Sequence, residues 1–478
     1  MNHKQTGPAA RPILESTARV LLLAVAVLAL PPQSTAQQAQ LAPKPIPVPN
    51  LGVWEDPVAW PIVAVHMLHH PNGKMLIWAY DGPSAHVWDP KADPGVAFTP
   101  VPNLATNIFC SGHAALAKGQ FVTAGGIFVN STQIFDYTAE TWATKQNMAF
   151  NRFYPTCTTL PDGRVLTVSG SAPGPVLIPE VYDAGLDTWT QLPNASMSLP
   201  LFPFMFLLPS GDVFFGGPST GSYTLDVAAE QWTFVDNSAN DGASAVMLHP
   251  GVVLKAGGTS SANKVTEVID LNADNPAWKT VGPMAFDRHH PDVVLLPDGT
   301  ALVVGGHGQG NVEVLEAELY NPETEKWTTL AAMETPRKYH STAMLLQDAR
   351  VIVAGGDGYP SGEIFNPPYL YKGPRPKIGW APDAIPYNEN FKIEVSSEVK
   401  VAGASLLRLG GVTHSFDQNQ RYIPIKFEYQ NALAAAASPA VLVAHSPGNA
   451  NIAPPGAYLL FLLSNKGVPS VGHYILIH

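Results

Sequence analysis

Short apolar runs broken by turn signals recur along the whole chain. The two clearest read Leu160-Pro161-Asp162-Gly163-Arg164-Val165-Leu166 and Leu296-Pro297-Asp298-Gly299-Thr300-Ala301-Leu302. In each, an apolar strand enters a Pro-Asp-Gly turn and a second strand leaves it and ends in small residues. Looser copies turn at Asn72-Gly73, Lys118-Gly119, Ser210-Gly211, Pro250-Gly251 and Asp348-Ala349. The second strands commonly close on a glycine pair, at Gly125-Gly126, Gly216-Gly217, Gly257-Gly258, Gly305-Gly306 and Gly355-Gly356. Farther along the units, aromatic strands carry Trp142, Trp189, Trp232, Trp278 and Trp327. The pattern predicts short strands throughout rather than a helical bundle.

These are seven units, repeating every 40 to 50 residues or about that, the period of a kelch-type β-propeller blade. The glycine pair lets backbones approach closely, and the Trp fills the wedge between neighbouring blades. The predicted fold class is therefore all-β, with a seven-bladed propeller in residues 37–371. A Pro-rich joint follows, Asn366-Pro367-Pro368 to Arg375-Pro376, and reads as a stiff extended connector. Residues 372–478 lack the blade signature. Their alternation, as in Phe391-Lys392-Ile393-Glu394-Val395, predicts a small antiparallel β-sandwich. For Ala432 to Ala437, a loop and a helical turn both remain open.

Composition sharpens the class. The 46 Pro and 40 Gly are an excess, but 46% hydrophobic content keeps the chain out of the disordered class. A net charge of −11 with 27 Lys and Arg excludes nucleic acid as the expected partner. Residues 1–36 read as a signal peptide. Lys4, Arg11 and Arg19 precede an apolar run from Val20 to Leu30, and Ser34-Thr35-Ala36 offers small residues for cleavage. That run rises ~16 Å as a helix, too short for a bilayer core of ~30 Å. An uncleaved anchor is the competing reading. Cleavage removes three basic residues and one acidic one and takes the net charge from −11 to −13. The expected mature protein is acidic, secreted (or held in the periplasm or at the cell surface) and without a membrane span.

Reactive residues fall at one register of the repeat. Nine positions before each turn residue stand Ala64, Cys110, Tyr154, Phe202, Gly242, His290 and His340, with Tyr339 beside the last. If the blades superpose, all open onto the same end of the central channel. A thiol, two phenols and two imidazoles there point to a metal or redox mouth. Register alone does not make His290 a ligand, since Gly242 shares it. Export permits a Cys110–Cys157 disulfide, whereas the repeat puts Cys157 inside a strand as a packed thiol. His249, His69 and His70 lie next to turns and are expected at the surface.

Four segments resemble the radical-copper oxidases that include galactose oxidase and glyoxal oxidase. They are Ile108-Phe109-Cys110-Ser111-Gly112, Arg152-Phe153-Tyr154-Pro155, Arg337-Lys338-Tyr339-His340-Ser341 and Gly411-Val412-Thr413-His414-Ser415. The resemblance implies a kelch propeller followed by an Ig-like, early-set sandwich. It implies Cu(II) held by Tyr154, Tyr339, His340 and His414, and a thioether between Cys110 and Tyr154 that carries a tyrosyl radical. It further implies that Tyr339 takes the proton of an alcohol, that Tyr154 takes a hydrogen atom from carbon, and that O2 is reduced to H2O2. Tyr154, Cys110 and Tyr339 would be the catalytic residues. The implied partners are a small alcohol, aldehyde or carbohydrate and O2.

The chain departs from the family in three places. Ser169-Gly170-Ser171-Ala172 stands where galactose oxidase has a Trp stacked on the modified tyrosine, so Phe153 is the expected shield. His113 replaces a small residue close to Cys110. The resemblance begins at the first blade, without the carbohydrate-binding domain of galactose oxidase, which favours a small aldehyde or primary alcohol over galactose. Two other functions compete: a non-catalytic extracellular propeller that binds partners through its loops, and a copper protein that has lost turnover.

Overall fold

Each repeat unit folds into one antiparallel sheet whose strands follow chain order. In the computed structural model, which describes residues 49–80, 83–430 and 440–478, the unit around Gly163 is representative. Thr156–Thr159, Val165–Val168, Glu180–Asp183 and Thr188–Gln191 pair successively. The first two strands are buried at every position, and the last is mostly exposed. Inner strands packed on both faces therefore read as continuous apolar or small runs, and the outer strand faces water. The expected signal peptide and the Ala432 to Ala437 stretch lie outside the described residues.

The turn residues share one backbone conformation. Gly73, Gly119, Gly163, Gly211, Gly251 and Gly299 have φ between 80° and 99°. Ala349, the substitute in the last unit, is held at φ 67°. This left-handed region favours glycine, which is why the turn signal is so regular.

Side chains tie each sheet to the one before it. The indole N–H of Trp142 donates to Val101 O at 2.8 Å, that of Trp189 to Gln146 O at 2.9 Å and that of Trp232 to Ala195 O at 2.9 Å. Three buried ion pairs repeat the same role inside sheets: Arg152–Glu180, Arg288–Glu318 and Arg337–Glu363. Each arginine also donates to backbone carbonyls, as Arg288 does to Gly305 O and Glu316 O. The N-terminal strands Val53–Trp54 and Val58–Ala59 pair with Ser361–Asn366, so the start of the chain completes the sheet of the last unit.

The C-terminal part is a two-sheet sandwich. Asn390–Val395 alternates exposed and buried positions as the sequence pattern predicts. Ile393, Leu406, Leu442, Leu460 and Ile477 are buried in its core. One hairpin leaves this sandwich and enters the propeller. Gly411–Thr413 pairs with the innermost strand His66–His69 of the first unit, and Phe416–Asp417 folds back on it. The architecture is thus a propeller followed by an early-set domain, with the second contributing a strand to the first.

Some expectations need correction. His69 and His70 are buried rather than at the surface. His69 Nε2 lies 2.8 Å from the Tyr474 hydroxyl on a C-terminal strand, and His70 packs among Phe121, Phe135 and Tyr137 of the next sheet. His249 is exposed as expected. The two cysteines are free, and Cys157 packs its sulfur 3.3 Å from Thr167 Oγ1. The Pro-rich joint contains a 3-10 turn, Pro368–Tyr371, whose buried Tyr369 donates to Ala349 O at 2.5 Å.

Candidate active site

The register position nine before the turn is a backbone device. Cys110, Tyr154, Phe202, His290 and His340 all have φ between 43° and 66°, and Gly242 has φ 80°. For a non-glycine residue this conformation costs roughly 1–2 kcal/mol. It recurs in six of the seven units, Ala64 of the first being the exception, at the point where the chain enters its inner strand. Neighbouring positions are laced together: Tyr154 N–H donates to Cys110 O at 3.0 Å, and Phe202 N–H donates to Tyr154 O at 2.9 Å. The repeat therefore places a thiol, a phenol and an imidazole on one rim.

The hairpin brings the remaining imidazole. His414 (φ 48°) and Ser415 (φ 68°) form its tip. Side-chain amides fix the hairpin against several sheets. Gln418 Oε1 accepts from the N–H of His113 and of Cys157, each at 3.1 Å, and Asn419 Oδ1 accepts from Ala115 N–H at 2.8 Å. Gln420 donates to Val293 O at 2.7 Å. These bonds satisfy backbone groups of the inner strands that would otherwise be buried and unpaired.

Five reactive side chains converge there. Cys110 Sγ lies 3.4 Å from His414 Nε2, and the Tyr154 and Tyr339 hydroxyls are 2.8 Å apart. Donor atoms of Cys110, His340 and His414 all lie within 4.8 Å of one another. The Tyr154 ring centroid is 4.8 Å from that of His414, and Tyr339 is 3.8 Å from His340. Cys110 and His340 are buried, whereas the two phenols are part-exposed at the mouth.

Both imidazoles are oriented through Nδ1. His340 Nδ1 donates to Asp357 Oδ1 at 2.6 Å. Thr413 Oγ1 donates its hydrogen to Val65 O at 3.0 Å, so it accepts from His414 Nδ1–H at 2.6 Å. Each ring thereby presents the Nε2 lone pair to the cluster, as a metal-binding histidine does. His340 Nε2 is buried and has no hydrogen-bond partner in the protein. Burial, then the neighbouring His340, holds His414 well below the usual imidazole range, so it is neutral. Burial pushes the Tyr339 phenol up to about 12 and raises Tyr154 further.

Two family models match the chain. "Glyoxal oxidase N-terminus" covers residues 242–366 and "Galactose oxidase-like, Early set domain" covers residues 375–477. Galactose oxidase of Gibberella zeae is 28% identical over 491 residues, covering 90% of this chain and 71% of that protein. Aldehyde oxidase GLOX of Vitis pseudoreticulata is 27% identical over 436 residues, covering 78% and 82%. Over both matched segments the chain is similar to the galactose oxidase and glyoxal oxidase family. A solved copper-bound fungal alcohol oxidase shares its fold, with a TM-score of 0.80 at 23% identity over 90% of this chain and all of that one.

Within this galactose oxidase-like chain, Tyr339 and His340 fall in the first matched segment and His414 in the second. Cys110 and Tyr154 fall in neither. The sequence reading missed two residues that shape the site. His66 accepts the Cys110 backbone N–H at 3.0 Å and stacks on Trp78 at 4.4 Å. Asp357 orients His340, and it directly follows the glycine pair Gly355-Gly356, a signal available in the repeat. Around Tyr154, Phe153 packs edge-on at 4.2 Å and Phe202 at 4.8 Å, so two phenyl edges occupy the surroundings that a stacked indole would share. Among the described residues, no helix is long and apolar enough to cross a membrane.

Proposed function

We propose that this oxidase is an exported copper-radical enzyme that oxidises a primary alcohol or aldehyde with O2, giving the aldehyde or acid and H2O2. The observation that carries the reading is the convergence of His340, His414, Tyr154 and Tyr339 with Cys110, from the propeller and the C-terminal hairpin, at one mouth. The donor set fits copper: two neutral imidazoles and two phenol oxygens suit a tetragonal Cu(II) site, and the partnerless buried His340 Nε2 has the place of a ligand atom. Copper, when bound, supplies a one-electron Cu(II)/Cu(I) couple and a Lewis-acidic seat for the substrate oxygen.

The chain's residues divide the rest. Tyr339, next to the mouth, has a raised pKa as a free phenol and would lose its proton on holding copper; as the phenolate it would accept the hydroxyl proton of the substrate. Tyr154, oxidised to its radical, accepts a hydrogen atom from the substrate carbon. The Cys110 thiol neighbours the Tyr154 hydroxyl, and a thioether to the ring carbon ortho to that hydroxyl would form with loss of two hydrogens to O2. Phe153 and Phe202 keep water from the ring. The partly exposed phenols leave the site open to a substrate from solvent, and the negative net charge gives no field that would attract an anion.

Intact mass and peptide mapping after copper loading in air test this reading. The expected result is a mass lower by two hydrogens and a joined peptide carrying Cys110 and Tyr154. A free Cys110 thiol beside an unmodified Tyr154 peptide would overturn the radical cofactor. Peroxide release across small aldehydes, primary alcohols and galactose then assigns the substrate class.

A further inference from the structure

A second histidine cluster stands beside the proposed copper ligands, with its His290 at the same register of the repeat and packed on Tyr339. His289, His290 and His307 each offer a ring nitrogen, and these nitrogens lie within 4.8 Å of one another. The backbone that carries them is locked: His289 N–H donates to His307 O at 2.8 Å and His307 N–H returns to His289 O at 2.9 Å. His307 Nδ1–H donates to Gly308 O at 3.1 Å, which leaves its Nε2 lone pair free. His290 Nδ1 is buried without a hydrogen-bond partner in the protein. The His289 and His290 rings stack at 3.8 Å, and no hydrogen bond joins the three imidazoles to one another among the described residues. The Asp241 carboxylate acts electrostatically on His289, and the Asp357 carboxylate, hydrogen-bonded to His340, acts on His290, which adds negative potential at the cluster.

We infer that His289, His290 and His307 form a second divalent-metal site, of the class that takes Zn2+ or Cu2+, with three imidazole ligands and an open fourth position. Ligands about 2.0–2.1 Å from a tetrahedral ion lie roughly 3.3 Å apart, so ring nitrogens now within 4.8 Å of one another close by up to ~1.5 Å, and the stacked His289 and His290 rings turn about their side-chain bonds so that their lone pairs converge. Three nitrogen ligands with a fourth position left to water or substrate are the pattern of open rather than structural zinc sites. The three residues are part-exposed, so an ion reaches them from solvent. His290 packs 4.6 Å from Tyr339, which puts the second ion beside the mouth without sharing a ligand with the first. The inference does not depend on the oxidase reading.

Zinc titration calorimetry on the full chain separates the two sites. The His340→Ala/His414→Ala variant should keep a zinc site with the wild-type affinity. The His289→Ala/His307→Ala variant should lose that site, with affinity lower by about tenfold or more. Zinc binding unchanged in the second variant, or absent from the first, would overturn the assignment. A measurement on the unmodified chain guards against misfolded variants. Zinc should protect the peptides carrying His289, His290 and His307 from diethyl pyrocarbonate, while exposed His249 reacts at an unchanged rate. Equal modification with and without zinc overturns the site.

Discussion

The mouth is assembled by two regions that solve the same problem differently. The propeller places Cys110, Tyr154 and His340 by recurrence: each sits nine positions before a turn, in a left-handed conformation, at the start of an inner strand. The C-terminal hairpin places His414 in the same left-handed region without any repeat. It is held instead by a strand pairing with His66–His69 and by the amides of Gln418, Asn419 and Gln420. Recurrence sets a rim where side chains are exchangeable, as Phe202 and Gly242 demonstrate. Insertion sets a single residue against partners from several sheets, and a change there has no sibling to compensate.

The hairpin side of this comparison breaks first at His414. Asn tolerates the left-handed backbone, so His414→Asn removes the imidazole with little strain. Peroxide production should fall to background and copper binding should weaken severely. Stability, read by denaturant unfolding, should drop by about 1–2 kcal/mol. Retained turnover would mean that the hairpin does not complete the site.

On the repeat side, the buried pairs carry the larger stability effect. Glu318→Ala strands Arg288, whose side chain is fully buried, and should cost about 3–5 kcal/mol. Glu325→Ala, which opens the exposed pair with Lys279, should cost ~1 kcal/mol at most. Urea midpoints of the two variants check the contrast. Similar midpoints would show that these pairs do not stiffen the sheets.

Asp357 tests how a recurrent position is tuned. The carboxylate orients His340 from a residue that the repeat places just after its glycine pair. Asp357→Ala should weaken copper binding about 10–100-fold, and Asp357→Asn, which keeps an acceptor oxygen, should recover part of it. Competition with a chelator reads both. Equal affinities in all three proteins would leave His340 oriented by packing alone.

How much of this was legible follows the same division. The turn glycines, the tryptophans and the nine-residue register announce themselves because a repeated backbone demand leaves a repeated residue. The family resemblance pointed to His414, but nothing local in Gly411-Val412-Thr413 predicts which inner strand it pairs with. His69 and His70 were misjudged for a related reason. Their position beside a turn reads as solvent, yet Tyr474, some 400 residues away, covers His69. His66 escaped notice because its role is to accept a backbone N–H, and no motif encodes that. Arg152, Arg288 and Arg337 are visible as basic residues but not as buried ones, since their glutamate partners sit two strands later in the chain.

The smallest effect belongs to the one turn that breaks the repeat. Ala349 occupies φ 67° where its six counterparts are glycine. The methyl group in this region costs roughly 1–2 kcal/mol, while glycine gives back part of that through the freedom of its unfolded chain. Ala349→Gly should therefore stabilise the protein by about 0.5–1 kcal/mol. Gly163→Ala runs the comparison backwards. Its added Cβ would meet nothing closer than Pro455 Cγ at 3.6 Å, so backbone strain alone is at issue, and a loss of about 1 kcal/mol is expected. Equal and opposite shifts in the unfolding midpoint would show that the repeat is selected at this position for conformation. If Ala349→Gly destabilises instead, the alanine is held by its buried packing under the last sheet, and the regularity of the turns reflects fit rather than φ.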